Sequence, residues 1–301
     1  SATFLSHIAT KGGRNFQSFN VIQRNLLGDF GYQDLGTAWF ETQTYSDGFE
    51  LTPGPLFAPS ETMSTLLDAS VSGGDNTAIG NKALTTCTSG GENTAVGHDA
   101  LESLTTGSGN TAMGDRAMET HSTGSSNTGI GQQALASNTT ASSNTSIGMQ
   151  SSFSNTTGDS NVAVGKDALR ANTTASNNVA VGADALETNT TGGNITAIGR
   201  SALQLNTTGS NGVAVGKDAL KNNTTGAQNT AVGTSSLDAN TTGQFNVALG
   251  QSALGGNSTG NNNTGLGRGA LEANTTAGDN TAVGYQSLGA NTTGTNNVAV
   301  G

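Results

Sequence analysis

A chain of 301 residues would ordinarily make two domains, yet only 11% of these residues are charged, 4% are aromatic and 44 are glycine, which is not the composition of two ordinary cores. The formal net charge of −10 excludes a phosphate backbone as a natural partner, so no nucleic-acid binding is expected. No apolar run approaches the roughly 18 residues of a membrane span, and the single cysteine, Cys87, excludes an intrachain disulfide.

Ten of the thirteen aromatic residues lie before position 58, and residues 1–52 contain no repeat. In this segment Phe16, Phe19, Ile22, Leu26 and Leu27 have the spacing of a short helix closing near Gly28. Thr37 to Tyr45 alternates like a strand, and Ser46-Asp47-Gly48 reads as a turn into Phe49-Glu50-Leu51. A small mixed segment is therefore expected, serving either to attach the chain to a larger assembly or to cap the first coil of the repeat. Pro53, Pro55 and Pro59 mark residues 53–62 as a linker.

Residues 63–301 are expected to form one repeating body, with a degenerate first coil near Met63 carrying Leu66-Leu67. A glycine then recurs every 17 residues without a change of phase: Gly80, Gly97, Gly114, Gly131, Gly148, Gly165, Gly182, Gly199, Gly216, Gly233, Gly250, Gly267, Gly284 and Gly301. Around it runs NTAVG-x-x-AL-x-x-NTTG-x-x. Recurrent Gly, Thr, Val and Asn argue against helix, while a constant period argues against disorder. The reading that remains is all-β: a thin parallel β-solenoid or β-roll of 17-residue coils, each with two short strands and two tight turns. The glycines are expected where a turn needs positive φ or close backbone approach. The Ile, Val, Leu or Met just before each of them is expected to be buried, and Ala-Leu pairs such as Ala168-Leu169 supply a second apolar column. Ser152 replaces that leucine in one coil, and with Phe153 beside it a local repacking is expected.

A column of identical amides runs through Asn138, Asn155, Asn172, Asn189, Asn206, Asn223, Asn240, Asn257, Asn274 and Asn291, and at about 4.8 Å spacing these can bond one to the next as a ladder. The same asparagines fall in Asn-Thr-Thr acceptor sequons; the ladder accounts for them without glycosylation. Cys87, Leu104 and His121 hold the position in the first coils, as terminal repeats often depart from the consensus. Charges at variable positions, such as Arg170 over Glu187, Lys221 over Asp238 and the like pair Glu102 over Glu119, read as an ordinary wetted surface.

Two large apolar side chains per coil leave a single roll short of burial, and an Ile/Val column on a second face would form a stripe along the rod. Self-association around the long axis would cover it in every coil, and a homotrimer is the expected solution.

The segments NTAIG at 76–80, NTAVG at 93–97 and NVAVG at 161–165, 178–182 and 297–301 resemble the head repeats of YadA-like trimeric autotransporter adhesins. The longer unit is also similar to phage tail-fibre-like proteins. The resemblance covers three quarters of the chain and implies a left-handed β-roll in a trimeric fibre, extracellular, on a virion or a cell surface. Its implied partners are a parent particle, reached through residues 1–52, and a glycan or protein receptor on a host surface. A bacterial adhesin head binding matrix or cell-surface ligands is the alternative, and a tailspike-like glycan depolymerase the third.

Convergent reactive groups are sparse. His7, His98 and His121 are scattered, Cys87 has no basic neighbour in sequence, and the turns Ser72-Gly73-Gly74-Asp75-Asn76 and Ser89-Gly90-Gly91-Glu92-Asn93 carry no repeating Asp column for calcium. Candidate carboxylates for sugar cleavage exist, including Asp167 and Asp184 in adjacent coils, but they lie at variable positions without aromatic neighbours to bind a sugar. No catalytic residue, cofactor or metal site is expected, and fourteen coils would make a shaft of roughly 65 Å.

Overall fold

The computed structural model describes residues 3–11, 14–23, 33–45, 48–52 and 73–301. The chain divides into two units, Ser1–Thr62 and Met63–Gly301. Among the described residues there is no helix, and hence none able to cross a membrane. The linker at 53–62 and the degenerate coil at 63–72 lie outside the described residues.

The first unit is a four-stranded antiparallel sheet in sequence order: β1 (Thr3–Lys11), β2 (Arg14–Gln23), β3 (Gln33–Tyr45) and β4 (Gly48–Thr52). The helix expected across Phe16, Phe19 and Ile22 is a strand, so the described part of this unit is all-β and not mixed; Leu26, Leu27 and Gly28 lie outside the described residues. The apolar spacing fitted a helix only when read alone. Lys11 pairs with Arg14, and the register continues unbroken to Thr3 opposite Ile22, a partnership that a window over Phe16 to Leu27 does not contain. Gly12-Gly13, between two runs rich in β-branched and aromatic residues, was the hairpin signal. The register of β2 on β3 shifts between Asn20 and Ile22, a bulge. The strand over Thr37–Tyr45 is present, extended back to Gln33, and Phe49–Leu51 lies in β4.

The second unit is a parallel β-solenoid of about 13 turns. Fourteen strands, from β5 (Thr77–Ile79) to β18 (Val298–Val300), stack in sequence order into one parallel sheet. Each is three residues long and pairs with the residue 17 further on, as in Val162 with Val179 and Ala163 with Ala180. Only the central residue of each strand points inward. It is alanine in most coils, and Ala95, Ala112, Ala163 and Ala180 are wholly buried. The small side chain leaves room for the Ala-Leu pair opposite, whose Leu101, Leu135, Leu169 and Leu186 are equally buried.

Two expectations need correction. There is one strand per coil, not two: the Ala-Leu segment is a turn run in which leucine takes positive φ, 55° at Leu169 and 52° at Leu186. Such backbone costs a non-glycine residue about 1–2 kcal/mol. Burial of the leucine returns about 1.5–3 kcal/mol, and the turned backbone lets Leu169 N–H donate to Ala185 O of the next coil at 2.9 Å. The residue before each glycine, expected to be buried, is instead half-buried to exposed. Met113 is 43% exposed, Ile198 40% and Leu249 49%, because a three-residue strand alternates and its centre already faces the core.

The core is interrupted once. One apolar cluster runs from Ala83 to Leu135 and a second from Ala163 to Leu288. Between them Ser146 stands in the alanine column and Ser152 in the leucine column, both buried, with Ser146 Oγ donating to Ser152 Oγ at 2.8 Å. Phe153 is half-buried and does not replace the missing leucine.

Candidate functional site

Beneath the surface the solenoid is held by stacked amides. Each asparagine from Asn155 to Asn291 donates Nδ2 to the Oδ1 of the one 17 residues earlier, at 2.8 Å for Asn172, Asn223 and Asn240 and up to 3.4 Å for Asn155. The other Nδ2 proton goes to the carbonyl three residues on, as in Asn206 to Gly209 O at 3.0 Å. Asn138 through Asn274 are buried, so in the folded chain their amides cannot meet a glycosylating enzyme.

A second ladder was missed at the sequence level. The asparagine that opens NTAVG stacks as well: Asn110 donates both its backbone N–H and Nδ2 to Asn93 Oδ1, at 2.9 and 3.0 Å, and Nδ2 also reaches Gly124 O. Its signal was present, since this letter recurs from Asn76 to Asn297 except at Ile195 and Gly212, but it reads as the first residue of a strand. Where Ile195 breaks the series, its backbone N–H still donates to Asn178 Oδ1 at 3.0 Å.

The glycines of the 17-residue series, from Gly80 to Gly284, take φ between 124° and 139°, a region that side chains avoid. Their backbones also touch: a Cβ on Gly165 would lie 2.6 Å from the carbonyl of Gly182.

His121 occupies the amide position with the bonding pattern of an amide. Nδ1 accepts from Asn138 Nδ2 at 2.9 Å, and Nε2 donates to Gly124 O at 2.8 Å, which fixes the neutral Nε2–H tautomer. Burial holds its pKa below the ordinary 6.5, with the Gly124 hydrogen bond opposing. A histidine depressed in the folded state contributes stability that is complete above the unfolded pKa and lost as pH falls below it. The denaturant midpoint of the coils around His121 is therefore expected to fall as the pH drops below about 6.5. His121→Asn, which continues the ladder with an untitratable amide, should flatten that dependence; a flat wild-type profile would show that the ring is solvated.

Cys87 holds the same column in an earlier coil, buried, with Sγ 3.4 Å from Gly90 O. Burial raises its thiol pKa, the reverse of what a nucleophile needs. His98 is half-exposed and lies 3.2 Å from Asp99 and 3.1 Å from Asp115.

Asp167 and Asp184 do not form an open pair. Asp167 is buried and bound to Lys166 and to Arg170, whose Nε lies 3.6 Å away. Arg170 and Lys221 thus find their carboxylates within their own coil, at Asp167 and Asp218, where stacking had suggested Glu187 and Asp238. Asp99, Glu102 and Glu119 bring carboxylate oxygens within 4.8 Å of one another. Lys82 Nζ enters that cluster, 3.0 Å from Glu102 and 3.7 Å from Asp99, and Arg116 Nε is 3.8 Å from Asp99. The arrangement is an ion-pair network in which three carboxylates meet two cations, one from each adjoining coil.

What remains as a surface able to act is the outer face of the parallel sheet. Two rows of side chains flank the buried alanines, one of Thr or Val and one of Val, Ile, Leu or Met, without a charge in either. They run the length of the stack, with Ile147, Ile198, Val247 and Leu249 exposed in mid-stack. Such a face binds by shape and apolar contact rather than by acid–base or metal chemistry. The chain gives no match to any protein-family model, curated protein or solved structure.

Proposed function

We propose that the chain is a structural and adhesive fibre shaft: a homotrimer of left-handed rolls, associated along their sheet faces, that spaces a contact surface away from an attachment end. The observation that carries this reading is the uncharged, half-exposed apolar face repeated in every coil. A monomer would leave its Ile, Val and Leu row in water along a shaft of roughly 60 Å. Closed symmetry around the long axis covers that row in all coils at once, whereas a heterologous contact would propagate without end. The four-stranded first unit serves in this reading as the attachment module. The fibre then works outside the cell, on a virion or cell surface, multiplying weak contacts with a host surface.

The native mass in solution tests this. The expected result is three times the 29.9 kDa of one chain. Ile147→Glu with Ile198→Glu should shift the protein toward monomer, each buried charge weakening association by about 10–100-fold. A monodisperse wild-type monomer would remove the proposal.

A further inference from the structure

Two aromatic rings are exposed among the described residues of the second unit. Tyr285 lies beneath Arg268, whose guanidinium carbon is 5.7 Å from the ring centroid. Phe245 has no such cover. It is half-exposed, and it stands at a turn position that takes positive φ in every coil, 57° at Phe245 itself. Elsewhere in that column are residues suited to the left-handed region or indifferent to burial: Asp75, Ser126, Asn177, Asn211, Gln228 and Asn262. An aromatic ring there accepts backbone strain while half of its surface stays in water.

Phe245 edges an open pocket of about 450 Å³ that it shares with Thr242, Gln244, Thr259, Asn261 and Asn262. No lining residue is charged. Asn261 Oδ1 accepts from Gln244 N at 2.7 Å, which leaves its Nδ2 as a donor. Asn262 Nδ2 donates to Asp279 Oδ1 at 3.1 Å, leaving its own oxygen as an acceptor. One apolar ring face beside amide donors, amide acceptors and two threonine hydroxyls matches a pyranose, whose C–H groups form an apolar face and whose rim carries paired donors and acceptors. Polyanionic sugars fit poorly, because the pocket offers no cation and the chain is net negative.

We infer that the shelf at Phe245 is a binding site for a neutral hexose-type glycan. This rests on the reading of the chain as a host-contacting fibre and names the chemistry it contacts. The pocket is lined by turn residues, none of which lies in a strand.

Saturation-transfer NMR of the full chain with neutral oligosaccharides, together with retention on a glycan array, tests the inference. Wild type should transfer saturation to pyranose ring protons, unchanged between about pH 5 and 9 because no lining group titrates there. Phe245→Asn and Phe245→Gln, which install the residues of adjoining coils, should fold and lose at least about tenfold in retention, a difference of about 1.4 kcal/mol. Phe245→Trp should retain binding. Absence of transfer in the wild type, equal transfer in both polar variants, or retention of acidic glycans alone would each overturn the site. Any of these with the trimeric mass intact removes the glycan shelf and leaves the fibre, whereas a monomer that still binds neutral sugar through Phe245 removes the fibre and leaves the shelf.

Discussion

Replacing Gly216 by alanine is expected to lower the stability of the solenoid by about 2–6 kcal/mol. Gly216 has φ of 134°, and an added Cβ would sit 2.6 Å from Gly233 O and 2.7 Å from its carbonyl carbon. Backbone strain in that glycine-only region contributes about 1–3 kcal/mol and the steric overlap about 1–3 kcal/mol more. The neighbour cannot move aside alone, because Gly233 N donates to Val215 O at 2.8 Å and Gly233 in turn abuts Gly250. In a stack where each coil touches only its neighbours, the damage stays local in extent but divides the stack. Hydrogen exchange should accelerate at Val213–Val215 and Thr230–Val232 while Val162–Val164 stays protected. Thr208→Ala, at an exposed position of the preceding coil, is the control and should change stability by less than about 0.5 kcal/mol. An unaltered denaturant midpoint for Gly216→Ala would mean that the coils are not in the close backbone contact described.

The same glycine shows why so much of the solenoid is legible in its sequence. A position that stacks on copies of itself must satisfy the same geometry in every coil, so steric demand at Gly216 appears in the sequence as a period. The ladder through Asn206 was legible for that reason. What was hidden is what the period does not encode. Leu169 at positive φ has no sequence signature, because leucine does not favour that conformation and sits there for burial. The inward turn of Ala163 and outward turn of Val164 are set by which residue of a three-residue strand faces a narrow core, and either phase fits an NVAVG string. Asn110 was visible as a repeated letter but looked like the start of a strand. In the first unit no period exists, and the contact that decides Phe16 is with β1, outside any local window. Phe245 was the opposite case: the one large apolar side chain in a column otherwise of small or polar residues, invisible to a consensus and informative only beside its pocket.

Filling the polar coil should produce the largest gain. Ser146→Ala with Ser152→Leu is expected to stabilise the solenoid by about 2–3 kcal/mol, chiefly through burial of one more leucine. The backbone is already shaped for it, since Ser152 takes φ of 48° where Leu135 and Leu169 take 53° and 55°. The two changes are coupled. Ser152→Leu alone strips Ser146 Oγ of its acceptor and leaves a buried hydroxyl unpaired, a penalty of about 1–3 kcal/mol that offsets most of the gain. A double-mutant cycle should therefore show favourable coupling of about 1–2 kcal/mol. The effect should reach beyond one coil, because the serine pair separates the apolar cluster ending at Leu135 from the one beginning at Ala163. With the leucine column continuous, unfolding of the two segments should merge from two denaturant transitions into one. If the double variant gains nothing, the neighbouring leucines have already closed over the coil, and the serine pair is packed as tightly as the leucine it displaces.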